Sequence, residues 1–142
     1  MESLLSAEQE NFLAQAIAKA EAGTSGEIRI HFDRRCTGNP LKRAQEVFLG
    51  LGMQKTKNRN AVLIYIALDS KKVAIIGDKA IHESVRQDFW DQELKTIISH
   101  FSQKKFFEGL MKAIADTGEK LKVFFPADSI NHDELPNDIT TS

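Results

Sequence analysis

The chain has few of the residues that would indicate a disulfide scaffold or a membrane protein. Cys36 is the single cysteine among 142 residues, so neither an internal disulfide nor a cysteine-rich zinc site is expected, and a spare thiol is typical of a reducing compartment. The longest apolar run, residues 61–68, is far too short to cross a membrane as a helix. The amino terminus lacks the basic and apolar regions of a secretory signal. We therefore expect a cytoplasmic protein that makes no membrane contact.

The sequence also lacks an excess of positive or negative residues. The sequence has 19 Lys and Arg residues against 20 Asp and Glu residues, and its net charge is -1. Nucleic acids and anionic membranes attract strongly basic surfaces, so neither is an expected partner. The motifs of covalent catalysis are absent as well: there is no G-x-S-x-G, no P-loop and no H-E-x-x-H. Cys36 has no evident histidine partner, and we interpret it as an ordinary loop thiol.

What the sequence does contain is a regular succession of helical and strand patterns. Ser6 followed by Gln9 has the form of a capping box, and apolar residues at helical spacing predict a first helix that stops at Gly23. Residues 26–33 alternate apolar and polar side chains, which predicts a strand with one buried face and one partly solvated face. Asn39 and the proline after it predict the start of a second helix.

The rest of the chain completes an α/β pattern. Residues 60–68 are apolar on both faces, as in a central strand, and a hairpin turn at residues 69–71 leads into a third strand. Helical spacing returns from residue 81, with a short turn to about Arg86 and longer helices after it. A strand, a helix and a strand in series favour a right-handed crossover with parallel strands. We predict a three-layer α/β/α sandwich around a small mixed sheet, a Rossmann-like unit plus an antiparallel hairpin.

The same patterns set the expected domain boundary. One domain should cover residues 1–126, since this length can bury a sizeable core. Residues 127–142 are polar, mildly acidic and without periodicity, so we expect a disordered tail. We expect a monomer.

Polar side chains collect at one edge of the predicted sheet. Two parallel strands begin at this edge, and the antiparallel third strand ends there. Oxygen ligands suit hard cations such as calcium and magnesium, whereas histidine suits zinc. The predicted ligands of a divalent cation are Glu27, Asn58, Asn60, Asp78 and His82.

Each predicted ligand also has a simpler interpretation. Asp78 could cap the helix that follows it, His82 could be a solvated residue of that helix's first turn, and the two asparagines could hold a turn. A basic run beside the edge is a candidate phosphate-binding group, with a solvated loop as the alternative. That run consists of Lys55, Lys57 and Arg59. Asp33, Asp69 and Ser70, at the opposite edge, form a second and weaker candidate site.

Three short segments carry a family resemblance. Gly26-Glu27-Ile28 opens the first strand, Asn60-Ala61-Val62-Leu63 opens the second, and Gly77-x-x-Ala80-Ile81 closes the third. With the order of elements, these segments resemble the TPM domain family over about residues 6 to 125. The family joins a plant thylakoid lumen protein, a photosystem II repair protein and a modulator of a nematode acetylcholine receptor.

The resemblance implies an α/β/α fold, a divalent cation site with calcium as the usual ion, and an acid phosphatase activity in the plant branch. Glu27 and Asn60 match family positions, whereas Asn58 and His82 stand where the family often has an acidic residue or a glutamate. Fewer carboxylates predict weaker calcium binding. The first hypothesis is therefore a stand-alone TPM domain that binds a divalent cation and acts through an unidentified protein partner. The second is a metal-dependent acid phosphatase of low activity.

Overall fold

The computed structural model describes residues 5–127 and 139–141. Four α-helices, a short 3-10 helix and four strands follow one another along these residues. In chain order they are α1 (Ala7–Ala22), β1 (Glu27–Asp33), α2 (Pro40–Gly50), the 3-10 helix (Met53–Lys55), β2 (Ala61–Ala67), β3 (Lys72–Gly77), α3 (Lys79–Ser102), α4 (Phe106–Phe124) and β4 (Ile139–Thr141).

The strands form one open mixed sheet in the order β3-β2-β1-β4. β1 runs parallel to β2 and to β4, and β2 is antiparallel to β3. The register of β1 on β2 begins with Glu27 opposite Ala61 and ends with Asp33 opposite Ala67. The predicted crossover, hairpin and mixed sheet are confirmed.

Helices cover both faces of the sheet, which confirms the predicted three layers. α1, α3 and α4 pack on one face, against side chains such as Ile30 and Ile64. α2 packs on the other face, against side chains such as Leu63 and Tyr65. Residues of β2 therefore alternate between two cores, and all seven are buried. This explains why the strand is apolar at every position.

Local signals in the sequence fix where the helices begin. Ser6 Oγ accepts a hydrogen bond from the backbone N–H of Gln9, and the backbone N–H of Ser6 donates to Gln9 Oε1, so the predicted capping box is present. Asn39 caps α2, with Pro40 in its first turn. α3 breaks at Arg86, where φ is 70° and ψ is 170°, close to the predicted end of the short turn.

Among the described residues, no helix is long and apolar enough to cross a membrane.

Two expectations from the sequence do not hold. The polar face of β1 is not partly solvated, because Glu27, Arg29, His31 and Asp33 are each at most 5% exposed. The strand lies between two others, and the side chains of His31 and Asp33 have hydrogen-bond partners inside the fold. Within the expected disordered tail, Ile139–Thr141 form strand β4, which pairs with residues 30–32 of β1. The remaining tail positions, 128–138 and 142, lie outside the described residues, and a single domain over 1–126 stays a prediction.

Candidate functional site

The predicted cation ligands do fall at one edge of the sheet, which we call the amino edge. Glu27 starts β1 beside Ala61, and the backbone N–H of Asp78 donates to the Ala61 carbonyl at 2.8 Å. Glu27 and Asp78 therefore stand on either side of the first residue of β2. Both are buried, at 2% and 6% exposure. Their positions follow from the register of the three strands, as predicted.

Asp78 is engaged by a neighbouring arginine. Arg59 donates from Nε to Oδ2 at 2.6 Å and from a terminal nitrogen to Oδ1 at 2.8 Å. The Asp78 carboxylate also accepts from the backbone of Lys79 at 2.8 Å, which caps α3. The pKa of Arg59 is raised because of this hydrogen bond and the negative charge of Asp78. Arg59 thus takes the position of a cation on the carboxylate, although its own side chain is 47% exposed.

The two asparagines meet on a single hydroxyl. The side-chain nitrogens of Asn58 and Asn60 each donate to Ser25 Oγ, at 3.1 Å in both cases. This contact ties the loop before β2 to the segment before β1. The Oδ1 atom of Asn60 is buried and has no hydrogen-bond partner, and the same holds for Thr56 Oγ1 and Gln54 Oε1. The loop therefore contains three buried oxygen acceptors without a donor, a costly arrangement unless a ligand or water satisfies them.

His82 faces the helical layer. Its Nδ1 accepts a hydrogen bond from Trp90 Nε1 at 3.0 Å. In a neutral ring with this bond the proton sits on Nε2, so neither nitrogen offers a free lone pair. Trp90 reaches His82 across Gly77, where a β-carbon would collide with the indole ring. The half-buried His82 is thus a packed residue of the first helical turn and not a solvated one.

The three residues of the basic run, Lys55, Lys57 and Arg59, have different surroundings. Arg59 is committed to Asp78, and its backbone is left-handed, with φ at 51°. Lys55 ends the 3-10 helix, and Lys57 lies in the exposed part of the loop. The three cations therefore do not form one group around a common point. No group of three or more His, Cys, Asp or Glu side chains that could hold a metal occurs within residues 5–127 and 139–141.

A second polar cluster lies at the opposite end of β1, and we call it the Asp33 network. Arg43 donates to Asp33 at 2.8 and 3.4 Å, and Tyr65 donates at 2.6 Å. His31 Nε2 lies 3.1 Å from the same carboxylate, and its Nδ1 lies 2.7 Å from Thr140 Oγ1 on β4. The network thus joins β1, β2, α2 and β4, and both carboxylate oxygens of Asp33 are satisfied.

The pKa values of this network reflect its burial and its hydrogen bonds. Burial alone would raise the pKa of Asp33, but hydrogen bonds from Arg43, Tyr65 and His31 outweigh it and lower the pKa to about 2. Burial and then the hydrogen bond to Asp33 raise the pKa of Tyr65. Burial lowers the pKa of His31 despite its carboxylate neighbour. Asp33 is thus ionised. Its carboxylate is stabilised by two neutral side chains, Tyr65 and His31, and by the guanidinium of Arg43.

The other residues of the weaker candidate site take part in turn contacts. Asp69 pairs with Arg34 at 3.0 Å and lies 3.8 Å from Arg35, and all three side chains are largely exposed. Ser70 accepts from the backbone of Cys36 at 3.0 Å. Cys36 is buried, and its thiol contacts the Gly38 carbonyl at 3.5 Å. These contacts agree with turn chemistry at strand ends.

Sequence reasoning did not foresee the Asp33 network as a unit. Its members Arg43 and Tyr65 come from a helix and a strand that looked purely structural, at 10 and 32 residues from Asp33. The one available signal was the run of charged residues at alternate positions of β1. Such a run on a strand between two others predicts buried polar pairing, because charges that lose water must find partners.

The arrangement defines a mixed α/β sandwich with a polar amino edge, and comparisons with known proteins place it in a family. The TPM domain profile matches residues 1–120 of the chain. The NMR structure of the BA42 protein from the psychrophilic bacterium Bizionia argentinensis is 41% identical, with a TM-score of 0.91, and the match covers 100% of this chain and 98% of that one. The chain belongs to the TPM domain family.

More distant structures share the fold. The N-terminal domain of a protein from P. gingivalis has a TM-score of 0.72 at 16% identity, and the match covers 93% of this chain and 83% of that one. The N-terminal domain of cg2496 from Corynebacterium glutamicum has a TM-score of 0.67 at 14% identity, with 92% and 81% covered. No curated protein matches the chain.

Proposed function

We propose that this TPM domain binds a hard divalent cation at the amino edge of its sheet and acts as a binding module for a protein partner. The observation that carries the proposal is the buried Oδ1 of Asn60, which has no hydrogen-bond donor. Asn60 directly precedes Ala61, the residue of β2 that pairs with Glu27 and accepts the backbone N–H of Asp78. A buried acceptor without a donor is satisfied by a cation as well as by water. Thr56 Oγ1 and Gln54 Oε1 in the same loop supply further oxygens.

The donor chemistry favours calcium or magnesium over zinc. Amide, hydroxyl and carboxylate oxygens are ligands of hard cations, and calcium accepts them in flexible geometry. His82, the ligand that would suit zinc, is held by Trp90 through Nδ1. Asp78, Asn60 and Glu27 would hold the cation, with Arg59 leaving Asp78 as it binds. We expect weak binding, since a divalent ion must displace a guanidinium that makes two short hydrogen bonds.

A titration monitored by amide NMR shifts tests this proposal. Calcium added in the millimolar range should move the amides of residues 54–60 and 77–83 together and leave the hairpin at 69–72 unchanged. Asp78→Asn should weaken the response, because asparagine can still cap α3 but offers the cation no charge. Asp69→Asn is the matched control, as it removes an exposed carboxylate from the other end of the sheet. Shifts confined to residues 33 and 69, or none at all, contradict the proposal.

The second candidate function is a phosphatase of low activity, in which the bound cation would polarise the phosphoryl oxygen and supply the nucleophilic water. Lys55 and Lys57 lie in the loop beside the edge and would contribute positive charge there. A chromogenic phosphomonoester assay between acid and neutral pH, with calcium, magnesium, zinc or chelator, tests it. Turnover that Asp78→Ala abolishes supports hydrolysis. A rate no higher than the blank with every metal leaves the binding module as the function.

A further inference from the structure

A cavity of about 680 Å³ opens at the end of the molecule away from the amino edge. It lies between the hairpin that joins β2 to β3 and the corner that joins α3 to α4. Its walls include the apolar side chains Val73, Ile98, Phe101, Phe106 and Phe107. The volume is within the range of about 300 to 1,000 Å³ that small-molecule sites occupy, and such sites are mostly apolar with a few polar groups.

Positively charged side chains outnumber negatively charged ones in the cavity wall. Lys71 on the hairpin and Lys104 at the helical corner line it, against a single carboxylate, Glu108. Within the described ranges, neither lysine forms an ion pair. The cavity thus combines an aromatic interior with two available cations.

Both lysines occupy backbone positions that favour glycine. Lys71 has φ at 52° and Lys104 has φ at 60°, each in the left-handed region. Lys71 closes the hairpin turn, with its N–H 3.3 Å from the Leu68 carbonyl. Lys104 follows the end of α3, with its N–H 3.1 Å from the Phe101 carbonyl. Glycine is the usual residue at the left-handed position after a helix and at that of a bulged hairpin. A non-glycine residue there is strained, and such strain clusters at ligand sites.

The wall also contains an apolar side chain that the protein's own core leaves uncovered. Ile98 is 54% exposed, although it stands beside the buried Ile97 on α3. Exposed apolar surface next to an aromatic cavity is a feature of binding sites. A ligand with an apolar body would cover Ile98, and an anionic head would meet the two lysines.

We propose that this cavity binds a free medium-chain carboxylate. The alkyl chain lies against Phe101, Phe107 and Ile98, and the carboxylate lies near Lys71 and Lys104. The positive charge at the wall selects an anion, and the aromatic interior selects an alkyl chain over a compact ion such as phosphate. This site is separate from the amino edge, so its occupation does not depend on the cation proposed there.

Calorimetric and NMR titrations with decanoate, below its micelle concentration, test the proposal. Binding should saturate and shift the amides of residues 71–73 and 98–108. Decanol has the same chain without the charge, and decyltrimethylammonium carries the opposite charge. Decanol should bind about fivefold more weakly than decanoate, as expected for the loss of about 1 kcal/mol of ion pairing, and the cation should bind more weakly still.

The double variant Lys71→Gly/Lys104→Gly separates binding from folding. It relieves the left-handed strain at both positions, so its melting temperature should not fall, while its affinity for decanoate should drop about fivefold to that of decanol. Lys95→Gln, which removes an exposed charge elsewhere on α3, is the matched control and should bind as the parent does. Ile98→Glu should abolish decanoate binding, and its exposed position makes the change compatible with folding.

Several results would overturn the assignment. Decanoate binding that appears only with micelles, or that decanol and the cation match, removes the role of the lysines. Unchanged affinity in the glycine double variant does the same. Concentration-dependent dimerisation that Ile98→Glu abolishes would assign the surface to a contact between two copies of the chain.

Discussion

Asp33 and Asp78 are both buried carboxylates at the end of a strand, but their hydrogen-bond donors differ in number and origin. Asp33 accepts from three side chains, Arg43, Tyr65 and His31, which belong to three different elements. Asp78 accepts from one half-exposed side chain, Arg59, and from the backbone that it caps. The first carboxylate is thus built into the fold from several directions. The second is neutralised by a single side chain, Arg59, that solvent can reach.

The surroundings differ in the same sense. Around Asp33, Tyr65 and His31 are both hydrogen-bonded to the carboxylate. Near Asp78, the loop before β2 contains buried oxygens without donors, among them Asn60 Oδ1. A saturated polar network stabilises a single structure, whereas unsatisfied acceptors leave capacity for a ligand. The comparison assigns a structural role to the Asp33 network and supports the binding role that we propose for the amino edge.

The largest expected effect is the unequal cost of neutralising the two carboxylates. Asp33→Asn should lower the free energy of unfolding by about 2 to 4 kcal/mol, because Tyr65 and His31 lose a buried charged acceptor and the partly exposed Arg43 loses its ion pair. Asp78→Asn should cost about 1 kcal/mol, since asparagine keeps the cap and the lost ion pair is half exposed. Urea denaturation of both variants measures the difference. Equal costs would remove the distinction between the two ends.

A third buried carboxyl group, that of Glu93, has no positively charged hydrogen-bond partner among the described residues to offset the cost of its burial. Glu93 on α3 is 4% exposed, its Oε1 has no hydrogen-bond partner, and its other neighbour is the carboxyl of Asp116. Burial and then Asp116 raise the pKa of Glu93 to about 8. Asp116 itself pairs with Lys112 at 2.8 Å. Protonated Glu93 is therefore the form that the fold accommodates.

The pKa of Glu93 is higher in the folded protein than its ordinary value of 4.5 in the unfolded chain. Its contribution to the free energy of unfolding is therefore fully present below pH 4.5 and is lost as the pH rises towards 8. From this group the protein should lose about 2 to 4 kcal/mol between pH 4.5 and pH 9. Glu93→Gln, which mimics the protonated form, should remove that loss and be the more stable protein at pH 9. Glu119→Gln on the exposed side of α4 is the control. Parallel stability curves for Glu93→Gln and the parent protein would contradict the assignment.

Acid should act on Asp33 in the opposite direction. The pKa of Asp33 is lowered from 3.8 to about 2, so its contribution is complete above pH 4 and is lost as the pH falls through 2. The expected loss is about 2 kcal/mol. Urea midpoints recorded from pH 5 to pH 2 in a Glu93→Gln background isolate it. The Asp33→Asn variant should lack this part of the pH dependence.

Removal of the β4 contact should have a smaller effect. Thr140 Oγ1 lies 2.7 Å from His31 Nδ1, so the strand completes the hydrogen bonds of the Asp33 network. Thr140→Val keeps the shape of the side chain and should cost about 1 kcal/mol. Thr141→Val, on the exposed last residue of β4, is the matched control. A melting temperature equal to that of the parent would show that the pairing of β4 contributes little to stability.

The elements that the sequence predicted depend on local signals, and those it missed depend on distant partners. The capping box at Ser6, the Asn39-Pro40 start of α2 and the two-sided apolar strand β2 each specify structure within a few residues. The burial of the polar face of β1 depends on Arg43 and Tyr65, which adjacency in the chain does not reveal. β4 has three residues and no pattern of its own, so only its pairing with β1 defines it.

The candidate site follows the same rule. Strand register alone placed Asn60 and Asp78 at one edge, and the structure has them there. The contact of Arg59 with Asp78 could not be foreseen, because it depends on the left-handed turn at Arg59 that aims the guanidinium at a residue 19 positions away. A residue that charge patterning suggested for anion binding is thereby placed on a carboxylate of the chain itself.

The smallest expected effect tests whether Arg59 competes with the cation. Arg59→Gln removes the guanidinium from Asp78, so calcium affinity in the NMR titration should increase about three- to tenfold. Lys55→Gln removes one positive charge from the same loop without releasing Asp78, and its smaller gain measures the general electrostatic effect. If both variants gain equally, the bidentate contact has no specific role. If Arg59→Gln binds calcium less well than the parent, Arg59 supports the site and does not compete for it, and the amino edge would then resemble the Asp33 network, in which arginine is part of the structure.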